Sequence, residues 1–467
     1  MKCRTKGFFR IMGVLLTFLL LFTVCPQTMR AAADGQTSLW VVAERMPANS
    51  ETDALQDIAD LFRQKYPQVT LRIDYLPAED DTRAEYLDTI REAIQNGKGP
   101  DVYLLPTRDV LVLDESKNYT YQRVEMLFPD VELAMRGGVF YDLSQLYDSD
   151  LKLDKENLQP DIMDAGTVDD ARYVLPLEYR QPVIYAFPEL LKQYGLDTSD
   201  LDQPFIQWAA TALATQEQSL ACCADHIDFS LFSELIDYED MEVSLEVEEL
   251  AEYLSLYQKI HAAAGKDTGH QSIVTFPAYI AGDWTQYPAN LYSISCAPAF
   301  AAIASIENSR LEMLPLYTDE YETCATVAYY GAIGANCTAP ELAYQLLRLF
   351  LTEEGQQALF HSTAYEQVWP TRWKQAVAWS WDASLESARA FSPKKVRIPG
   401  NLTITAENLP ILEQEIDDVR FPLASPNILG QYASDIEKCS GEADFQRLSR
   451  RIITSLSDSL SERNPEK

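Results

Sequence analysis

Three apolar runs separated by two amphipathic stretches, all within residues 38 to 105, restrict this chain more than any other feature of its sequence. SLWVVA, Ser38 to Ala43, and VYLL, Val102 to Leu105, are the kind of run a strand shows when both its faces are buried. Between them Val69, Leu71, Ile73 and Tyr75 alternate with polar residues, the two-residue period of a strand. Ser50 and Asp53 make a capping pattern, Leu55, Ile58, Leu61 and Phe62 follow at helical spacing, and Pro67 ends the helix. Tyr86, Leu87, Ile90, Ala93 and Ile94 mark a second helix, with Asn96 and Gly97 suited to its C-terminal cap. Strand, helix, strand, helix, strand predicts an α/β fold with a doubly wound sheet, whose right-handed crossovers bring successive strand ends to one edge. Ligands bind at that edge. Glu44 and Arg45 after one strand, and Thr107, Arg108 and Asp109 after another, are therefore expected on a common rim.

Further along, Asp114 to Asp130 is a mixed polar segment that reads as a surface excursion before Val139 to Leu143. RYVLPLEYRQPVIY, Arg172 to Tyr185, holds two apolar runs interrupted by Pro176 and Pro182, which predicts extended chain suited to a crossing between lobes. A mostly helical, acid-rich region is expected to about Ala264. Leu342, Leu346, Leu349 and Phe350 give a helix over Pro340 to Leu351, and Phe445, Leu448, Ile452, Leu456 and Leu460 give a final amphipathic helix. At 467 residues the chain is long enough for two lobes with separate cores.

The first 33 residues stand apart. Lys2, Arg4, Lys6 and Arg10 precede an uncharged run from Ile11 to Val24, and Ala31, Ala32 and Ala33 supply the small residues of a cleavage site. This is the pattern of a secretory signal cut before Asp34, implying export to the cell surface or periplasm; a lipid anchor on Cys25 is the alternative. Removing the segment's five basic residues and no acid takes the net charge from −33 to −38. So acidic a surface repels phosphate backbones, which argues against nucleic acid as a partner. Six cysteines remain, Cys222, Cys223, Cys296, Cys324, Cys337 and Cys439, and export permits disulfides whose pairing the sequence leaves open. Cys222, Cys223, Asp225 and His226 lie close together, but their spacing matches no standard zinc pattern, so no metal and no cofactor is expected.

Several stretches together resemble the extracellular solute-binding proteins of ABC importers, family 1, the group with the maltose- and oligosaccharide-binding proteins. DLFRQKYPQVTLRIDY is similar to that family's helix, "YP-x-V" turn and second strand, and NGKGPDVYLL to its "G-x-GPDV" turn. RYVLPLEYRQPVIYAFPELLKQYGLD resembles its strand, crossing and "K-x-x-GLD" helix. AYIAGDWTQY looks like the segment carrying a "G-x-W" aromatic, YYGAIGANCTAPELAYQLLRLFLTEEGQQALF like the "I-x-A-N" to "EEGQ" segment, and WPTR like the "P-x-R/K" that follows. The shared order and spacing of these pieces, over nearly the whole mature chain, carries the resemblance.

The resemblance implies a two-lobed periplasmic-binding-protein fold of type II, each lobe a mixed sheet flanked by helices, with the ligand cleft between them. Residues 34–175 with 331–365 are expected to form the N-terminal lobe and 176–330 with 366–467 the C-terminal lobe, with Leu175 to Tyr179 and Tyr329 to Gly334 as hinges. It implies capture of a small solute, a sugar or oligosaccharide, by a monomer that delivers it to a membrane permease. Neutral sugars offer hydroxyls and flat C–H faces, which carboxylates, amides, Arg and aromatic platforms recognise. Trp284 corresponds to a stacking aromatic, with Gln286 and Tyr287 close behind, on a loop tip rather than in a core. Glu178, Tyr179 and Arg180 stand at the first crossing, either as ligand contacts or as a salt bridge across it. Arg108 and Asp109 either clamp hydroxyls or pair with each other. One departure stands out: Leu104, Leu105 and Pro106 occupy the strand end where some members carry an aromatic, and Tyr329, Tyr330 and Trp369 are candidate substitutes. Trp373, Trp379 and Trp381 sit in a helical-looking stretch that reads as packing.

Nothing in the chain announces catalysis. There is no G-x-S-x-G elbow, no H-E-x-x-H and no glycine-rich phosphate loop, and the four histidines belong to no motif. A ligand-binding sensor working with a membrane receptor, and a secreted glycoside hydrolase built on a carboxylate pair, are the rival readings.

Overall fold

β1 (Thr37–Ala43) lies between β2 (Val69–Tyr75) and β3 (Val102–Pro106) and runs parallel to both, with Val41 level with Ile73 and Val102. In this computed structural model the described residues are 37–45, 54–78, 80–107, 110–113, 119–122, 124–193, 195, 197–200, 202–207, 210, 235–264, 292–295, 311–362, 416–421 and 432–463. Leu39, Val41 and Ala43 of β1 enter one core with Leu55, Ile58 and Phe62 of α1 (Ala54–Lys65). Val42 enters another with Leu87 and Ile90 of α2 (Asp80–Gln95). Alternate residues of one strand thus meet helices on opposite faces, the doubly wound arrangement that the apolar patterning predicts.

Turn chemistry fixes how α2 hands over to β3. Gly97 adopts φ +67°, which a side chain tolerates poorly, and the amides of Gly97 and Lys98 close the helix on the carbonyls of Ile94 (2.9 Å) and Ala93 (2.8 Å).

The sheet is completed by strands from later in the chain. β10 (Cys324–Ile333), CATVAYYGAI, is buried at every position. It runs antiparallel to β3, with Ile333 opposite Val102 and Tyr329 opposite Pro106, and antiparallel to β6 (Val174–Arg180) on its other side. The order is therefore β6-β10-β3-β1-β2, with β11 (Asp418–Arg420) parallel to the start of β10. α5 (Pro340–Leu351) lays Ala343, Leu346, Leu347 and Phe350 on the same core as α1. Each such Leu or Phe contributes about 1.5 to 3 kcal/mol by leaving water, so the apolar face rather than helix propensity holds α5 in place.

A second sheet starts two residues after β6. Only Gln181 and Pro182 separate β6 from β7 (Val183–Ala186), which is flanked antiparallel by β8 (Tyr292–Ser295) and β9 (Glu312–Pro315). The described strands of this second sheet are antiparallel throughout, whereas the first sheet is mixed. Beyond it, α4 (Val247–Ala264) packs against α6 (Ala433–Lys438) and along α7 (Glu442–Arg463); Phe445, Leu448, Ile452, Leu456 and Leu460 of α7 are all buried, as their spacing predicts.

The expected excursion, Asp114 to Asp130, holds β5 (Tyr119–Gln122), which pairs with β4 (Val110–Leu113) just before it, and its last residue, Asp130, N-caps a short helix, α3 (Val131–Arg136). Leu175 to Tyr179 lies in β6 and Tyr329 to Ile333 in β10, which pairs with β6 on one side and β3 on the other, with Gly334 just beyond. Passage between the sheets occurs at Gln181 and Pro182 and between β9 and β10. The cluster at Cys222 to His226 and the tryptophans at 373, 379 and 381 lie outside the described residues, while Cys337 and Cys439 are thiols.

Candidate functional site

The ends of β1, β3 and β6 and the first half of β10 meet at one edge of the first sheet, where the chain reverses direction about β1 and β3. Hydrogen bonds to the main chain hold this rim together. The Tyr329 hydroxyl, on a side chain only 5% exposed, donates to the carbonyls of Glu44 (3.0 Å) and Leu104 (2.8 Å), ends of two different strands. Leu104 also accepts from the Glu44 amide at 3.0 Å. Thr107 extends the seam, its amide donating to the Ala328 carbonyl (3.1 Å) and its Oγ1 to that of Val327 (2.5 Å). Pairing of β10 with β6 shifts register between Val327 and Tyr330, a bulge of the kind found beside binding sites.

Glu44 is committed inward. Its carboxylate accepts from Arg83 Nη2 at 2.6 Å, while Arg83 also donates to the carbonyls of Glu125 (2.6 Å) and Pro77 (2.9 Å). Arg83 therefore clamps the segments that follow β1, β2 and β5. Burial raises the Glu44 carboxyl above its ordinary value, against the opposing pull of the Arg83 hydrogen bond and charge and of the Arg45 amide. Arg45 turns the other way, exposed, with its guanidinium 4.5 Å from the centre of the Tyr75 ring.

The structure thus brings Glu44, Arg45, Thr107, Glu178 and Tyr329 to one rim, Glu178 by its register opposite Tyr329. Glu44, Thr107, Glu178, Tyr179 and Tyr329 are buried there, whereas Arg45 is exposed and Arg180 partly so. Arg108, Asp109, Trp284, Gln286, Tyr287 and Trp369 lie outside the described residues. Tyr330 is buried in the sheet among Phe140 and Phe421, which removes it as a platform.

Arg83 is the organising residue that sequence reasoning passed over. It sits four residues before Leu87 and seven before Ile90, so a charged side chain occupies a position on the buried face of α2. That mismatch was the available signal. Among the described residues no group of His, Cys, Asp and Glu is arranged to hold a metal ion, and no helix is long and apolar enough to cross a membrane.

No family model matches the sequence, and neither does any curated protein. Solved structures do match. The sugar-binding protein MalE from Xanthomonas citri is 12% identical, covering 91% of this chain and 98% of that one at a TM-score of 0.53. A periplasmic solute-binding protein from Pectobacterium atrosepticum is 13% identical, covering 92% and 100% at 0.51. A de novo designed cysteine esterase is 13% identical, covering 91% and 99% at 0.52. At these identities the shared property is the fold, which is the α/β fold of solute-binding proteins.

Proposed function

From that shared fold, we propose that the chain is the extracytoplasmic solute-binding component of an ABC importer and captures a sugar or oligosaccharide between two lobes. The carrying observation is the rim itself: strand ends at a topological switch point, fastened into one unit, from which the chain passes within two residues into a second sheet. The proposed lobes are 34–175 with 331–365 and 176–330 with 366–467, with β6 and β10 of the first sheet running across both boundaries. Arg45 and Arg180 supply donors from the first sheet, and Arg108 and Asp109, next after Thr107 in the sequence, are further candidate contacts. Trp284, Gln286, Tyr287 and Trp369 supply the aromatic and amide contacts that Leu104, Leu105 and Pro106 do not. Closure is a hinge motion whose equilibrium the solute shifts by touching both lobes, and no bond of the solute is broken. In this reading the N-terminal segment is a secretory signal, the exported protein works as a monomer, and a permease receives the solute.

A thermal-shift screen over mono- and oligosaccharides, polyols and peptides tests this reading. A solute at about 100 times its Kd stabilises the folded state by about 2.7 kcal/mol. At least one carbohydrate is expected to do so, and Trp284→Ala to abolish the shift. A flat response to every carbohydrate refutes the solute class.

A further inference from the structure

One hydrogen bond joins two parts of the molecule that lie 108 residues apart in the sequence. Tyr238 lies in the turn of a small hairpin, Ile236–Asp237 paired with Glu242–Val243. The turn is held by Asp237, whose Oδ1 accepts the amides of Glu239 (2.8 Å) and Asp240 (3.0 Å), and by Met241 at φ 55°. The second strand of this hairpin packs on α7, which lies along α4. From there the Tyr238 hydroxyl donates to Asp130 Oδ2 at 3.1 Å.

Asp130 belongs to the other body. It is 7% exposed, and its Oδ1 caps α3 by accepting the Leu133 amide at 3.0 Å. Val131, Ala134 and Met135 of α3 share the core of Val42, Tyr103 and Leu105 from the first sheet. The chain leading to Asp130 is pinned to α2 by Arg83 on the Glu125 carbonyl and by Arg91 on the Met126 carbonyl at 2.8 Å. Both partners are therefore presented by anchored backbone, one from each body, and a phenol on a carboxylate is a charge-assisted bond.

We propose that Tyr238 and Asp130 form a tether between the two bodies that sets their resting arrangement, making Tyr238 a positioning residue for solute capture although it lies off the rim. Its effect on affinity rests on the two-lobe reading of the function, because any free energy that holds the resting arrangement enters the closing equilibrium. The tether itself needs no solute.

The test is a distance measurement on the solute-free full chain. Spin labels on genetically encoded keto amino acids replace Leu151, 95% exposed beside the first core, and Glu437, exposed on the helix whose carbonyls Gln258 of α4 contacts. Pulsed dipolar spectroscopy then reads the separation of the bodies. Tyr238→Phe keeps the ring and is expected to move the population ratio by about tenfold away from the wild-type distance. Asp130→Asn keeps the helix cap and removes the anionic acceptor, so it is expected to act in the same direction. Unchanged distance distributions in both variants overturn the proposal, including where melting temperatures fall, since that combination marks a purely local contact. With no solute in the sample, this outcome is independent of whether any sugar shifts the melting temperature.

Discussion

Burying a guanidinium costs several kcal/mol unless its donors find acceptors, and Arg83, 1% exposed, places three of them on Glu44, Pro77 and Glu125. Glu44 depends on this partner, because burial already raises its carboxyl above the ordinary 4.5. Arg83→Met is predicted to cost about 3 to 5 kcal/mol at pH 8, where the stranded carboxylate is charged. With folded pKa above unfolded, the carboxyl's protonation favours the native state below the ordinary carboxylate range, and that benefit disappears as pH rises through the raised value. Denaturation of both proteins is thus expected to show a wide gap at pH 8 that narrows toward pH 5, and a pH-independent gap contradicts the assignment. The same residues show the limit of reading side chains singly: Glu44, Thr107 and Tyr329 look like rim ligands by position, and only their hydrogen-bond partners reveal them as framework.

Elements with a strong period were legible before any coordinate. The strands of residues 37 to 106, both intervening helices, α5 and α7 fall where their apolar spacing puts them, since one buried face dictates each pattern. The β4 and β5 hairpin and α3 were not, because four to six residues carry too little periodicity to stand out from a polar loop. That β10 pairs on both edges leaves no mark in its local sequence. Its exit is constrained instead by contact: a Cβ added at Gly334 lands 2.3 Å from the Pro100 carbonyl oxygen, whereas one at Gly441 meets nothing within 4 Å. Gly334→Ala is predicted to destabilise by about 1 to 3 kcal/mol in urea titrations, as overpacking against backbone does. Gly441→Ala is the control, expected to stay within about 0.5 kcal/mol of wild type.

At the scale of the whole molecule, a formal charge of −33 opposes compaction through self-repulsion. Raising ionic strength from about 0.01 M to about 0.15 M shortens the screening length from about 30 Å to about 8 Å. The melting temperature is predicted to rise by a few degrees over that range, the size that about 1 kcal/mol produces in a large domain. A fall would mean that ion pairs such as Arg83 with Glu44 and Arg348 with Asp150 outweigh the repulsion. By itself the sequence determined the α/β class, the first five elements and the rim on which their strands end, because hydrophobic period and turn residues act over a few neighbours. The tertiary structure decided which rim residues point into the frame, where the chain passes between sheets, and that Tyr238 meets Asp130, since each depends on partners tens to hundreds of residues away.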